Sequence, residues 1–165
     1  MKALILVIAF MGVEFNGLEA NENIVYLKAD FQHAIYKYSK KSRLNSGIAL
    51  SVAEVESSWN PKKERQEKKG NTVSVGLFQM YYPTAQEYGY KGTPDGLKNP
   101  DVNIKLGVKH LARCQAKYGA DVRRVACCHN AGIHIRDSVC VNDPWVIHYE
   151  NKVEKAFQTY RGVKL

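Results

Sequence analysis

One glutamate in this sequence lies where its side chain could act as an acid. On a helical wheel of about 100° per residue, Glu56 lies about 80° from Ile48, inside the apolar arc of segment 46–59. Glu54 lies at about 240°, on the polar side with Ser57. Burial disfavours the charged form of carboxyl groups in general, so a glutamate in the apolar arc is suited to donating a proton. The alternative is a glutamate near a helix end that turns to solvent.

The segments that would position this glutamate are mostly helical. Apolar residues recur with helical spacing over 24–45, 46–60, 101–118, 121–130 and 143–160, and a shorter helix is predicted at 84–89. Residues 61–74 form a polar connection rich in Lys and Glu, and residues 92–100 are rich in turn formers. Little of the chain alternates with period two. The pattern therefore predicts a mainly α fold.

The N-terminus has the composition of a secretory leader. Lys2 is followed by an unbroken run of 11 apolar or small residues, Ala3 to Val13. This run is shorter than the roughly 20 residues that a membrane-spanning helix needs. We predict a signal peptide at residues 1–20, cleaved after Ala20, and one domain at 21–165. A buried N-terminal helix is the alternative interpretation.

The charge of the chain limits the kinds of partner. The 165 residues carry a net charge of +8, and loss of Lys2, Glu14 and Glu19 with the leader would make it +9. A basic surface favours polyanions, either nucleic acid or an anionic cell wall. We found no nucleic-acid recognition motif, and export favours the wall. We expect no nucleic-acid partner, and no stable membrane insertion after leader cleavage.

Four cysteines are present, and export would place them in an oxidising compartment. An even number there predicts disulfides. Direct pairing of the adjacent Cys127 and Cys128 would be strained, so Cys114 is expected to pair with one of them and Cys140 with the other. Zinc is the less favoured interpretation, because the spacing contains no CxxC pair.

Five sequence blocks resemble the lytic transglycosylase family, whose catalytic domain is like goose-type lysozyme. The resemblance extends over roughly residues 46–160, and its strength lies in the order and spacing of the blocks. The blocks are IALSVAEVESSWNP at 48–61, SVGLFQM at 74–80 with Pro83-Thr84-Ala85, Asn99-Pro100 with Asn103, Gly107 and His110, His129-Asn130-Ala131-Gly132, and Tyr149 to Val153.

This resemblance implies a lysozyme-like single domain that cuts peptidoglycan glycan strands. It identifies Glu56 as the acid, and it implies that no metal or cofactor is needed. In the family the acetamido group of the substrate is thought to stabilise the cation at C1. The C6 hydroxyl of the sugar then attacks, which gives a 1,6-anhydro product. We expect an exported monomer in the periplasm or outside the cell, and a cell-envelope assembly is a candidate partner.

The resemblance also suggests which residues bind the substrate. Gln79 offers two donors and two acceptor sites for an acetamido group or a sugar hydroxyl, and in the family it lines the groove. Ser74 could form a hydrogen bond near Glu56, or it could have only a structural role in a turn. Asn130 is expected to support the groove floor or the end of its helix, and Tyr149 to lie close to the acid. The aromatic residues that could stack on sugars are Trp59, Phe78, Tyr81 and Tyr82, although core packing is favoured for Trp59.

One block departs from the family pattern. His129 stands where the family usually has Tyr, and Val125, Ala126 and His129 share one helical face, so the imidazole is predicted to point inward. It could donate a hydrogen bond as Tyr does, make activity more dependent on pH, or be a core histidine whose hydrogen bonds are made within the fold.

The long connection 61–74 could be a mobile flap, although a solvated loop is favoured.

A second catalytic carboxylate is not evident from the sequence. Asp95 lies in a turn, Asp101 at a helix start where an acidic cap is the default role, and Glu150 beside Tyr149 is the best remaining candidate.

Three hypotheses about function remain open. They are a lytic transglycosylase that cuts MurNAc-GlcNAc β-1,4 linkages, a hydrolase on the same fold in which water replaces the C6 hydroxyl, and a non-catalytic wall-binding module.

Overall fold

The computed structural model describes residues 18–68 and 70–165, and side chains from residue 28 onward. Most of the predicted leader therefore lies outside the described residues. The helices are α1 (Leu18–Lys41), α2 (Ser46–Ser57), α3 (Tyr82–Glu87), α4 (Pro100–Tyr118), α5 (Val122–Ala131), α6 (Asp137–Asn142) and α7 (Pro144–Tyr160), with a 3₁₀ turn at Pro94–Lys98. The strands are β1 (Glu64–Gln66), β2 (Val73–Val75) and β3 (Met80–Tyr81).

Helix α2 is the centre of the hydrophobic core. Ile48, Leu50 and Val52 are fully buried, and α2 packs against α1, α5 and α7. The close approach of α7 depends on Gly47, because a Cβ there would lie 2.8 Å from Phe157 Cε2 and 2.9 Å from the Tyr160 carbonyl oxygen. The core therefore holds the C-terminal end of α2, where Glu56 lies, among neighbouring helices.

Side-chain caps set the starts of three long helices. Asn99 accepts hydrogen bonds from the first backbone N–H groups of α4, Asp121 from Arg124 N in α5, and Asp143 from the start of α7. These caps satisfy donors that have no partner within the helix. The predicted starts at 101, 121 and 143 lie within one residue of the observed helix starts. The cap of α4 is Asn99 and not Asp101, which lies in the first turn.

A small antiparallel sheet occupies part of the polar connection after α2. Its strand order is β1-β2-β3, with Arg65 paired with Ser74 and Ser74 paired with Tyr81. The backbone bond from Glu67 N to Thr72 O (2.8 Å) extends the β1–β2 pairing toward the turn. The segment expected to be a flap or a solvated loop is thus a β-hairpin, residues 64–75, formed by β1 and β2. Pairing of β2 with β3 attaches this hairpin to the rest of the domain.

Two disulfides join α5 to its neighbours. Cys114 in α4 pairs with Cys128, and Cys127 pairs with Cys140 in α6. The predicted pairing of Cys114 and Cys140 with one each of the adjacent cysteines is confirmed. Both bonds leave α5 from consecutive residues, immediately before His129.

Within residues 18–68 and 70–165, no helix is both long and apolar enough to cross a bilayer.

Candidate active site

A cleft of about 750 Å³ opens between the hairpin and the ends of α2 and α5. Its lining combines acidic, basic, amide and imidazole side chains. Its polar lining residues include Glu56, Arg65, Glu67, Ser74, Gln79, Tyr81, His110, His129 and Asn130. Five of the residues predicted for the site, Glu56, Ser74, Gln79, His129 and Asn130, are therefore brought together.

Glu56 lies on the cleft wall as a mostly buried carboxyl group. The residue is 8% exposed, whereas Glu54 is half-buried on another side of α2. The wheel thus distinguishes the two glutamates correctly, but its placement of Ser57 on the polar side is wrong. Ser57 is 3% exposed, and its hydroxyl donates to the Ala53 carbonyl at 2.9 Å. That internal hydrogen bond makes burial of the serine possible.

His129 contacts the carboxyl group of Glu56 directly. Its Nε2 lies 3.3 Å from Glu56 Oε1, and the side chain is 5% exposed. Its Nδ1 is buried without a hydrogen-bond partner among the described residues. The imidazole points inward, as the spacing on α5 predicts, and it can exchange hydrogen bonds with the carboxyl group through Nε2 alone.

Tyr149 of α7 lies beside the same carboxyl group. Its hydroxyl is buried without a hydrogen-bond partner among the described residues. Full burial and the neighbouring charge of Glu56 raise the pKa of Tyr149 well above its ordinary value. The phenol therefore remains protonated, and it is a donor that lies next to the acid.

A second imidazole, that of His110, lies behind His129. The two ring centres are 5.3 Å apart, and His110 Nδ1 shares a hydrogen bond with the Tyr88 hydroxyl at 3.1 Å. Burial, followed by the nearby charges of His129 and Arg113, lowers the pKa of His110 to about 3. His110 is therefore neutral near pH 7, and it adds no charge next to His129.

Gln79 lines the cleft and has one unused acceptor. Its Nε2 donates to the carbonyl oxygens of Lys63 and Gly76, both at 3.0 Å. Because both partners are acceptors, the amide nitrogen must face them and the amide oxygen must face away. Oε1 is buried without a partner among the described residues, and the residue has a φ of +42°. Since Oε1 is not exposed to the cleft, a ligand could reach it only after the side chain moves.

The loop before Gln79 is organised by Asn103 of α4. The Asn103 amide donates to the carbonyls of Val75 (2.8 Å) and Leu97 (2.9 Å), and its oxygen accepts from Phe78 N (2.9 Å). Gly76, at a φ of +83°, has no room for a Cβ because Asn103 lies against it. The glycine thus serves packing against Asn103, a reason that the sequence did not indicate.

Two of the predicted contacts lie elsewhere. Phe78 is fully buried against Gly107, so the expectation that it stacks on a sugar is wrong. Tyr82 lies outside the cleft, in a neighbouring depression with Asp95, and its hydroxyl donates to the Gly92 carbonyl at 3.1 Å. Tyr81 does line the cleft. Trp59 packs edge-on against Tyr160, with ring centres 6.3 Å apart.

The three carboxylates considered from sequence all have other partners. Glu150 is 3% exposed and pairs with Arg123 at 3.3 Å, and burial raises its pKa. Asp95 pairs with Lys98 at 2.7 Å and Asp101 with Lys105 at 2.5 Å. None of the three lines the cleft that holds Glu56.

The carboxylate that does share the cleft is Glu67, which the sequence did not single out. Ser74 Oγ donates to Glu67 Oε1 at 2.5 Å, so Ser74 hydrogen-bonds this glutamate and not Glu56. Arg65 adds two further bonds to the same oxygen. The short β1 has no periodicity that could have indicated this arrangement, because it arises from strand register.

The chain is similar in sequence to known proteins. The family model described as Transglycosylase SLT domain matches residues 33–144. A soluble lytic murein transglycosylase of Salmonella typhimurium strain LT2 is 27% identical over an alignment of 103 residues, and the match covers 58% of this chain and 15% of that protein. The chain thus spans less than a fifth of the length of this curated relative.

Solved structures share the fold. The 70 kDa soluble lytic transglycosylase Slt70 of Escherichia coli matches with a TM-score of 0.66 and 21% identity, over 78% of this chain and 24% of that one. An inactive mutant of Slt from Pseudomonas aeruginosa matches with a TM-score of 0.62 and 20% identity, over 78% and 23%. The complex of the 70 kDa enzyme with bulgecin A gives 0.64 and 20%, over 88% and 27%. This likeness confirms the predicted fold class, a mainly α, lysozyme-like domain.

Proposed function

Because the chain belongs to the transglycosylase SLT domain family, we propose that it is an exported lytic transglycosylase that cuts the MurNAc-GlcNAc β-1,4 linkages of peptidoglycan. The observation that carries this proposal is the position of Glu56. It is a largely buried carboxyl group on the wall of a cleft, with an imidazole 3.3 Å away and a protonated phenol beside it.

In the first step Glu56 acts as a general acid. Its carboxyl proton passes to the oxygen that links the two sugars, and the bond between C1 of MurNAc and that oxygen breaks. The GlcNAc portion leaves as an alcohol. The acetamido oxygen of MurNAc stabilises the positive charge at C1, and Glu56 becomes a carboxylate.

In the second step the same group acts as a base. Glu56 takes the proton of the C6 hydroxyl, whose oxygen then bonds to C1 and closes the 1,6-anhydro ring. The carboxyl group regains its proton, so no other acid or base has to be consumed. The neighbours of Glu56, namely His129 Nε2 and the Tyr149 hydroxyl, can each donate a hydrogen bond to the carboxylate between the two steps.

The surrounding residues suit an N-acetylated sugar chain. Gln79, Asn130 and Tyr81 line the cleft, and a small movement of the Gln79 side chain would bring its buried, unpaired Oε1 to the acetamido N–H. An unpaired buried acceptor gains most from a ligand that supplies the missing donor. The net charge of +8 favours approach to an anionic wall.

The substitution Glu56→Gln tests the role of the acid. It keeps the side-chain size but removes the proton that must be donated, so release of soluble fragments from purified peptidoglycan should fall by about 10³-fold or more. Sedimentation with insoluble peptidoglycan should be unchanged. Glu54→Gln, on the same helix but outside the cleft, is the matched control and should keep full activity.

The outcomes separate the proposal from its alternatives. If the unmutated protein binds peptidoglycan but releases nothing, the chain is a wall-binding module. If Glu56→Gln retains activity close to that of Glu54→Gln, Glu56 is not the acid and the proposed mechanism is wrong.

A further inference from the structure

The hairpin presents three polar side chains on the side that borders the cleft. Arg65 and Glu67 are two residues apart on an extended segment, so their side chains share a face. Ser74 is paired with Arg65 across the ladder, which places it on that same face. All three line the cleft together with Glu56.

One oxygen of Glu67 takes all the hydrogen bonds that the described residues supply. Oε1 accepts from Ser74 Oγ at 2.5 Å, from Arg65 Nε at 3.0 Å and from Arg65 Nη2 at 2.8 Å. Oε2 receives none from the described residues, and the side chain is 24% exposed. The carboxylate is thus fixed through one oxygen, and the other is free to accept from a ligand.

The Glu67 carboxyl group keeps its negative charge near neutral pH. Burial raises the pKa of Glu67, but the hydrogen bonds from Ser74 and Arg65, together with the positive charge of Arg65, outweigh it and hold the pKa below its ordinary value. The charged or titratable groups that share the cleft with Glu67 are Arg65 and Lys68 on the hairpin, Glu56 on α2, His110 on α4, His129 on α5 and Tyr81 at the end of β3.

The hairpin and Glu56 have shared neighbours, Tyr149 and Lys63. The phenol of Tyr149 is affected by charge from both sides, because Glu56 raises its pKa and Arg65 lowers it. In addition, Gln79 and Gly76 both bond to the Lys63 carbonyl, while Lys63 Nζ donates to the Glu56 carbonyl at 2.6 Å. These bonds tie the base of the hairpin to the end of α2.

We propose that Glu67 is a second catalytic carboxylate of this cleft, a role that rests on the proposed function. Its Oε2 contacts the sugar held by Glu56 and stabilises the positive charge that develops at C1 as the linkage breaks. No bond forms to Glu67 and no proton moves to it, so the proton transfers remain those of Glu56. A charge fixed in place before the reaction stabilises the transition state without reorganisation.

The substitution Glu67→Gln tests this proposal on soluble peptidoglycan fragments of defined length. It removes the charge but keeps the size, so kcat should fall by about 100-fold while KM stays within about threefold. Glu64→Gln is the matched control, because Glu64 lies in β1, three residues before Glu67, but outside the cleft, where it pairs with Lys98 at 3.0 Å. This control should keep the activity of the unmutated protein.

A second variant uses pH as the readout. Activity that needs ionised Glu67 is present above the pKa of this group and is lost as the pH falls through it. Ser74→Ala removes a hydrogen bond that lowers that pKa, so the acid limb of the kcat profile should move to higher pH by roughly one unit. A purely structural role of Ser74 would leave the position of this limb unchanged.

The possible failures are distinguishable. If the unmutated protein cleaves and Glu67→Gln matches Glu64→Gln in kcat, Glu67 belongs to a surface ion pair and the proposal is wrong. An unshifted acid limb in Ser74→Ala overturns it even where Glu67→Gln fails to fold in a thermal melt. If the unmutated protein does not cleave at all, the proposed function fails first.

Discussion

At the scale of single residues, the pairing of Glu56 with His129 is the feature that sets this site apart from the family pattern. The family usually has Tyr in this block. An imidazole offers a ring N–H where a phenol offers an O–H. With Nε2 3.3 Å from Oε1, this ring nitrogen lies within reach of the Glu56 carboxyl group.

The imidazole can stabilise the carboxylate that Glu56 forms between the two steps, because Nε2 lies close enough to donate to it. His129→Phe removes this donor and keeps an aromatic ring, so kcat on purified peptidoglycan should fall by about tenfold or more, the loss of one hydrogen bond to a charged group. His129→Tyr supplies a hydroxyl donor instead and should recover most of this activity.

A matched control for this prediction is His134→Phe. His134 is exposed and does not line the cleft, so its replacement should leave kcat unchanged. Equal kcat for His129→Phe and the unmutated protein would mean that His129 is a core histidine with no influence on Glu56.

At the scale of elements, α5 depends on two covalent links. Cys128, which pairs with Cys114, precedes His129 directly, and Cys127 pairs with Cys140. Sulfur Sγ of Cys114 also lies 3.8 Å from His110 Nε2. The disulfides thus hold the helix that carries the imidazole beside Glu56.

Removal of one disulfide should be costly. The bonds close segments with sequence separations of 14 and 13 residues. A loop of about 15 residues corresponds to about 3 kcal/mol of unfolding free energy. The double variant Cys114→Ala/Cys128→Ala should therefore lose about 3 kcal/mol in urea unfolding. Dithiothreitol should destabilise the unmutated protein, and a variant as stable as the oxidised protein would contradict this account.

The sequence predicted the long elements well and the short ones poorly. Helices α2, α4, α5 and α7 were expected close to their observed bounds, because each combines apolar periodicity with a recognisable start. Strands of two or three residues carry too little pattern to be recognised, and α6 has six residues. Their positions are decided by tertiary contacts, among them the Cys127–Cys140 bond and the pairing with β3.

The same limit explains what was missed at the site. Glu56 was found because a wheel places it among apolar neighbours, and His129 because it interrupts a known block. Glu67 belongs to a charged connection without periodicity, and only the register that pairs Arg65 with Ser74 brings it to the cleft. A residue whose role arises from strand register cannot be recognised from its neighbours in sequence.

At the scale of the whole molecule, the described part of the chain is one mainly α domain built around α2. The family match covers residues 33–144, which include every residue that lines the cleft, and α7 adds Tyr149 beside Glu56. The predicted leader at 1–20 and export to the periplasm or the exterior remain predictions. The basic charge of +8 is in keeping with an anionic wall as the partner.

The central claim is that Glu56 first protonates the linkage and then directs the sugar's own hydroxyl to C1. Mass spectrometry of peptidoglycan digested by the purified protein tests it most directly, because anhydro ends are lighter than reducing ends by one water. We predict 1,6-anhydromuramic ends that are absent from the Glu56→Gln digest. Reducing ends alone would contradict the account and identify a hydrolase in which water, and not the C6 hydroxyl, attacks C1.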